Sequence, residues 1–236
     1  MDMDVTSLNK SYPIHLDLTE MHCVIIGGGL IAARRISGLL EAGAKVTVIS
    51  PHCHLRIDQL SADGSIVNIK RNYEGELDIM NADLVFAATN DETVNRLVAA
   101  DASKHQIPVN HLGDSTRSTF IVPAVLRRGG LTMSVSTSGA SPGLARKIRD
   151  ELAESYGQEY ELYVDFLSEL REWVHAKVKN EKSRAIIFHQ VLKFDILELS
   201  QLDKQRAFRS WLEDMLELDL QTNEWEQKFE ECMIDI

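Results

Sequence analysis

Long apolar runs, cysteines and positive charge are what this chain has least of. No window of 18 or more apolar residues occurs among its 236 residues, which excludes a membrane-spanning helix. The segment from Met1 to Glu20 carries four acids and no apolar stretch of the kind a secretory leader needs, so a cytoplasmic location is expected. The three cysteines, Cys23, Cys53 and Cys232, are odd in number, far apart and in no metal-ligand spacing. A disulfide framework and a cysteine zinc site are therefore set aside, and free thiols in a reducing compartment are expected. Lys and Arg number 25 against 36 Asp and Glu, a net charge of −11. Nucleic-acid binding draws most of its affinity from Lys and Arg on phosphates, so that class of partner is excluded.

What is present is ample material for a core: 44% hydrophobic side chains with only 5 Pro and 13 Gly, which excludes disorder as the dominant state. The charge is unevenly spread. Residues 1–150 hold 16 acids and 15 bases, residues 151–236 hold 20 acids and 10 bases, the mark of two regions with different tasks.

The run His22 to Ile26 is short, apolar and rich in β-branched residues, as a buried strand requires. Gly27-Gly28-Gly29 stops it, and Leu30 to Leu40 then has helical periodicity. Lys45 to Ile49 reads as a second strand with Ser50-Pro51 as its stop, Ile66 to Lys70 as a third, Ala82 to Ala88 as a fourth and Pro108 to His111 as a fifth. Between the last two, Thr89 or Asn90 is expected to cap a helix whose apolar stripe is Val94, Leu97 and Val98. Strands alternating with helices at this spacing predict a doubly wound parallel sheet.

From about Asp114 the pattern changes. Thr119 to Val122 and Leu131 to Ser136 are β-rich runs on either side of Arg127-Arg128-Gly129-Gly130, which predicts two antiparallel strands. Ser141 as N-cap and Pro142 in the first turn open a helix. Beyond Gly157 there is no Gly or Pro, and Tyr160, Tyr163, Leu167, Leu170, Val174 and Val178 recur at steps of three and four. Ile187, Val191, Phe194 and Leu197 do the same, as do Phe208, Trp211, Leu212, Met215 and Leu216, so three or four amphipathic helices are expected.

The chemistry-bearing motif is Gly27-x-Gly29-x-x-Ala32 between a strand and a helix, the position of the dinucleotide fingerprint. The first glycine permits the tight turn, the second admits a pyrophosphate against bare backbone, and the small third residue lets helix and strand pack closely. Amides at the helix start, at Leu30 and Ile31, would face the phosphates. The acid that normally reads the ribose at the end of the second strand is absent. Ser50 and Pro51 stand there, and no Arg for a 2′-phosphate is near, so NAD is the expected cofactor. Thr89 and Asn90, at the end of the fourth strand, either contact the adenosine side of the cofactor or cap the following helix. His52 and His54 form a close histidine pair, but no metal site is assigned to them.

Four segments in order, IIGGGLIAARR from Ile25, AATNDETVN from Ala87, FIVPA from Phe120 and VSTSGASP from Val135, resemble the siroheme synthase N-terminal domain family, over roughly residues 14–155. That family includes precorrin-2 dehydrogenases, some of which are also sirohydrochlorin ferrochelatases. The resemblance implies hydride transfer from precorrin-2 to NAD, giving sirohydrochlorin, in a homodimer that exchanges the segment after the Rossmann domain. It divides the chain into residues 1–113 as NAD-binding Rossmann domain, 114–155 as a small α+β dimerisation segment and 156–236 as an all-helical domain. A polycarboxylate macrocycle calls for basic donors, and Arg117, Arg127, Arg128, Arg146 and Lys147 fall in or beside the dimerisation segment, with Ser136, Thr137 and Ser138 matching a serine-containing stretch near the substrate.

By the same resemblance Asn110 borders the cofactor, and an Asp acting as general base is expected three residues after it. This chain has Gly113 there and Asp114 one place later, with His111 as the nearest substitute. The displaced acid leaves Fe²⁺ insertion open. Two other readings compete: a non-catalytic NAD-sensing module with a partner-binding helical region, and a different small-molecule dehydrogenase on the same scaffold.

Overall fold

The computed structural model describes residues 11–192 and Arg206. Phe194, Leu197, Phe208, Trp211, Leu212, Met215, Leu216 and Cys232 lie outside the described residues. The described chain forms two compact units, one reaching to Pro123 together with Ser136–Pro142, the other made of Ala124–Val135 and the chain from Gly143 onward.

In the first unit the elements run β1 (His22–Ile26), α1 (Leu30–Glu41), β2 (Lys45–Ile49), α2 (Leu55–Ala62), β3 (Val67–Ile69), β4 (Leu84–Ala87), α3 (Glu92–Lys104) and β5 (Val109–His111). All five strands are parallel, in the order β3-β2-β1-β4-β5. The chain returns across the sheet between β3 and β4, so the order reverses beside β1. Ligands of open α/β sheets lie at the carboxyl ends of the strands flanking such a reversal.

The central strands β1 and β4 are buried on both faces, which explains their nearly continuous apolar sequences. Alternate residues divide between two cores. Cys23, Ile25, Val46, Val48, Leu84 and Phe86 pack with Ile36 of α1 and Ile57 of α2. Val24, Ile26, Ile49, Val85 and Ala87 pack with Val98 and Ala102 of α3. Each large aliphatic side chain so buried contributes about 1.5–3 kcal/mol by transfer from water.

Three expectations are corrected here. The first strand of the antiparallel pair is not Thr119 to Val122. Thr119 instead ties that run to β5, its amide donating to the Val109 carbonyl at 2.8 Å and its hydroxyl accepting from the Val109 amide at 2.7 Å, while the Phe120 ring meets Phe86 edge-on. The cap of α3 is neither Thr89 nor Asn90 but Asp91, whose carboxylate accepts from the amides of Thr93 and Val94. Leu97 is half exposed, and the buried face of α3 is Asn95, Val98, Ala99 and Ala102. α2 has no counterpart in the sequence reading.

In the second unit β6 (Ala124–Arg128) and β7 (Leu131–Val135) form an antiparallel hairpin in the register Leu126 to Met133, with Gly129 and Gly130 as the turn. The turn lies on the helix that starts at Glu159: a Cβ on Gly129, which has a φ of +52°, would fall 2.6 Å from Glu161. Helices α4 (Pro142–Ser155), α5 (Glu159–Lys177) and α6 (Glu181–Val191) follow. Tyr163, Leu170 and Val174 are buried on α5 as their spacing predicts, joined by Phe166 in place of Leu167.

Candidate dinucleotide site and its neighbours

A cleft of about 750 Å³ opens at the carboxyl ends of β1, β2 and β4. Of the residues the sequence assigns to the cofactor, Gly27, Gly28, Gly29, Leu30, Ser50, Pro51, Thr89 and Asn90 line it. Ile31 and Asn110 are not among its lining residues. Ile31 is half exposed on the first turn of α1, and the Asn110 amide donates to the Phe120 carbonyl at 3.0 Å.

The three glycines answer to three different constraints. Gly27 sits at a φ of +116°, and a Cβ there would overlap the Ala88 carbonyl, so backbone strain and the close approach of the β4 loop both exclude a side chain. A Cβ on Gly28 would fall 2.7 Å from the sulfur of Cys53. The Gly28 carbonyl in turn accepts from the His54 amide at 2.7 Å, so the β1 and β2 loops are packed and bonded together. Gly29 alone has nothing within 4 Å of its Cβ position. It is also the N-cap of α1, with no side-chain cap and no acid in the first turn. The first amides of α1 are thus left without side-chain acceptors, beside a glycine open to solvent, which is what an approaching diphosphate requires. The site fits a dinucleotide.

At the other wall, Ser50 is buried with its hydroxyl donating to the His52 carbonyl at 2.8 Å. The oxygen retains acceptor capacity toward a ribose hydroxyl. His54 caps α2, its Nδ1 accepting from the Arg56 amide, and burial pushes the Cys53 thiol above its usual pKa. Tyr73 also lines the cleft, its hydroxyl donating to Asp101 at 2.8 Å; burial, then this bond, pushes its pKa upward.

The β4 loop is held from beneath by Asn95, a buried residue of α3. Its Oδ1 accepts from the Thr89 amide at 3.0 Å and from the Thr89 hydroxyl at 2.8 Å, and its Nδ2 donates to the Thr89 carbonyl at 3.0 Å. In the sequence it is the last residue of the AATNDETVN segment, with no role assigned to it. A further signal is an Asn in the buried stripe of a helix, where a polar group stays only if it is paired.

Of the expected catalytic pair, His111 is the last residue of β5 and Asp114 lies just beyond it. The Asp114 carboxylate caps the short turn Ser115–Arg117, accepting from the Thr116 amide at 3.0 Å, the Thr116 hydroxyl at 2.6 Å and the Arg117 guanidinium at 3.1 Å. The Thr116 bonds hold its pKa below the usual carboxylate value. His111 is buried and, among the described residues, has no hydrogen-bond partner on either ring nitrogen. Its Nε2 stands 3.7 Å from a Glu92 carboxylate oxygen, an ion-pair distance too long for a hydrogen bond. Ser136, Thr137 and Ser138 belong to the same unit. Their loop folds back so that a Cβ on Gly139 would lie 3.9 Å from Ser115, next to Asp114. Ser136 Oγ accepts from the Ser138 amide and Thr137 Oγ1 from the Ser141 amide, while Ser138 takes a φ of +51°.

Arg127 and Arg128 belong to the second unit. Arg127 is exposed. Arg128 directs its guanidinium to the carbonyls of Tyr156 at 3.0 Å, Ala153 at 3.4 Å and Arg127 at 3.0 Å, closing the carboxyl end of α4. A cation there also opposes the partial negative charge of the helix end.

Comparison with known proteins agrees with this geometry. Residues 14–124 match a family model described as NAD(P)-binding, and residues 128–155 match one described as "Sirohaem biosynthesis protein central". A precorrin-2 dehydrogenase of Priestia megaterium is 35% identical over 204 residues, 86% of this chain and 98% of that one. The chain belongs to the precorrin-2 dehydrogenase and siroheme synthase family. A second member, the siroheme synthase of Methylobacillus flagellatus, is 35% identical over 208 residues, and the chain spans 44% of its length. The solved structure of SirC, precorrin-2 dehydrogenase, superimposes with a TM-score of 0.74 at 31% identity, covering 86% of this chain and 100% of that one. Membership accounts for the order of glycine turn, β4 loop and hairpin along one chain. Among the described residues, no helix is long and apolar enough to cross a membrane.

Proposed function

We propose that this chain oxidises precorrin-2 to sirohydrochlorin with NAD as cofactor, a step of siroheme synthesis. The observation that carries the reading is Gly29: an uncapped, acid-free helix start beside a glycine with open space, in a chain whose relative over nearly its full length is a precorrin-2 dehydrogenase. When bound, the oxidised dinucleotide supplies the hydride acceptor. The chain's own part is to hold and orient. The amides of Leu30 and Ile31 receive the diphosphate, Ser50 and Pro51 face the ribose at the end of β2, and Thr89 and Asn90 close the opposite wall.

Loss of a hydride from precorrin-2 leaves a cation that must give up a proton. Asp114 is the proposed acceptor, a carboxylate ionised at neutral pH whose charged form the Thr116 bonds favour further, and His111 is the alternative. The substrate's carboxylates are assigned to Arg117 and Arg127, with Ser136, Thr137 and Ser138 as hydroxyl donors. Arg128 keeps its place in that group only if it leaves the carbonyls of α4. The homodimer implied by the resemblance belongs to the same proposal and is checked by sedimentation.

The test is the complete reaction. Purified chain given precorrin-2 and NAD⁺ should form NADH and sirohydrochlorin in equal amounts, and adding Fe²⁺ afterwards reads iron insertion directly. Absence of NADH from that mixture would refute the reading.

A further inference from the structure

We propose that Asn95 is a positioning residue for the dinucleotide: it fixes the β4 loop that forms one wall of the cleft, and cofactor affinity depends on it. The inference rests on the reading above, that the cleft holds NAD.

Three observations lead there. First, among the described residues the Asn95 side chain engages Thr89 alone, taking its amide, its hydroxyl and its carbonyl within 3.0 Å. An Asn on the buried face of a helix ordinarily detracts from packing. Here the amide completes the backbone pairing that the end of β4 leaves undone, which a leucine of similar size would not. Second, the residue it holds is in the cleft. Thr89 and its neighbours Ala88 and Asn90 line it, and the Thr89 hydroxyl also bonds to the backbone of Asp91, accepting from its amide and within 2.9 Å of its carbonyl. Third, the loop so held is the surface on which the glycine turn rests: a Cβ on Gly27 would fall 2.6 Å from the Ala88 carbonyl carbon and 2.9 Å from the Thr89 nitrogen. Movement of Thr89 therefore moves both the wall and the floor of the cradle. Asn95 lines no part of the cleft and acts through Thr89.

The bonds also rank the substitutions. Asn95→Asp retains the acceptor for the Thr89 amide and hydroxyl but sets a carboxylate oxygen against the Thr89 carbonyl. Asn95→Ala removes all three bonds and leaves the Thr89 amide and carbonyl without partners. The experiment is calorimetric titration of NAD⁺ into wild type, N95D and N95A, with KM for NAD⁺ and for precorrin-2 and the thermal midpoint measured on each. The expected result is a loss of NAD⁺ affinity of about threefold in N95D and tenfold or more in N95A, matched by a rise in KM for NAD⁺, with KM for precorrin-2 within twofold of wild type. If N95A does not fold, N95D alone decides. Variants that are less stable yet bind NAD⁺ within twofold of wild type overturn the proposal and leave Asn95 a structural residue. Failure of wild type to bind NAD⁺ overturns instead the reading on which the proposal rests.

Discussion

The His54 amide donates to the Gly28 carbonyl across 2.7 Å, so the turn after β1 and the loop after β2 are bonded directly to one another. The contact is tight: Cys53 stands where a Gly28 side chain would go. Gly28→Ala should therefore destabilise the fold, by about 1–3 kcal/mol as overpacking commonly does, and weaken NAD⁺ binding with it. Urea unfolding of the variant reads the first and titration the second. An unchanged midpoint would show that the two loops separate easily.

Asp114→Asn separates chemistry from structure, because Asn caps a turn nearly as well as Asp. If Asp114 takes the proton, kcat should fall by about 10²–10⁴ with NAD⁺ affinity retained. Near-normal turnover would transfer the role to His111 and leave Asp114 the cap that its three hydrogen bonds describe.

Arg128→Ala should lower the unfolding midpoint by roughly 1–2 kcal/mol equivalent, since several hydrogen bonds to carbonyls at the end of α4 are lost. KM for precorrin-2 should stay within twofold. A rise in that KM at unchanged stability would return Arg128 to the substrate.

Acid sensitivity has an identifiable source in the pair Arg71 and Asp78, whose guanidinium and carboxylate meet in two bonds of 2.8 and 2.5 Å. Arg71 holds the Asp78 pKa below its usual value. A carboxylate whose folded pKa lies below the unfolded one, about 3.9, stabilises the fold at higher pH, and that stability disappears as pH falls through the folded value. Arg71→Leu should flatten the loss of stability with falling pH seen in wild type. Parallel pH profiles would assign acid unfolding to other groups.

Much of this was legible in the sequence where one signal dominated. β1 and β4 are nearly continuous apolar runs because both their faces are covered, and Gly27 and Gly28 stand where the neighbouring loops leave no room for a side chain. The misses have physical reasons. α2 buries only Ile57 and is capped by a histidine, so neither stripe nor cap announced it. Thr119 to Val122 has the composition of a strand, but the bond from Thr119 to Val109 and the ring contact of Phe120 with Phe86 are tertiary and invisible to periodicity. Asn95 stands in the AATNDETVN segment without a role because hydrophobic patterning scores a polar residue as solvent-facing, whereas its partner is the loop six residues earlier. The commitment of Arg128 to the end of α4 likewise involves carbonyls about 25 residues away in sequence.

The most direct test of the account is NAD⁺ titration of Gly29→Ala against wild type. The added methyl meets no atom of the described residues within 4 Å, so the fold should be retained, with at most about 1 kcal/mol lost because Ala is a poorer N-cap than Gly. In the proposed binding mode it projects toward the diphosphate at the start of α1, so affinity for NAD⁺ should fall tenfold or more, about 1.4 kcal/mol. Equal affinity in the two proteins would contradict the claim that the dinucleotide rests on this turn.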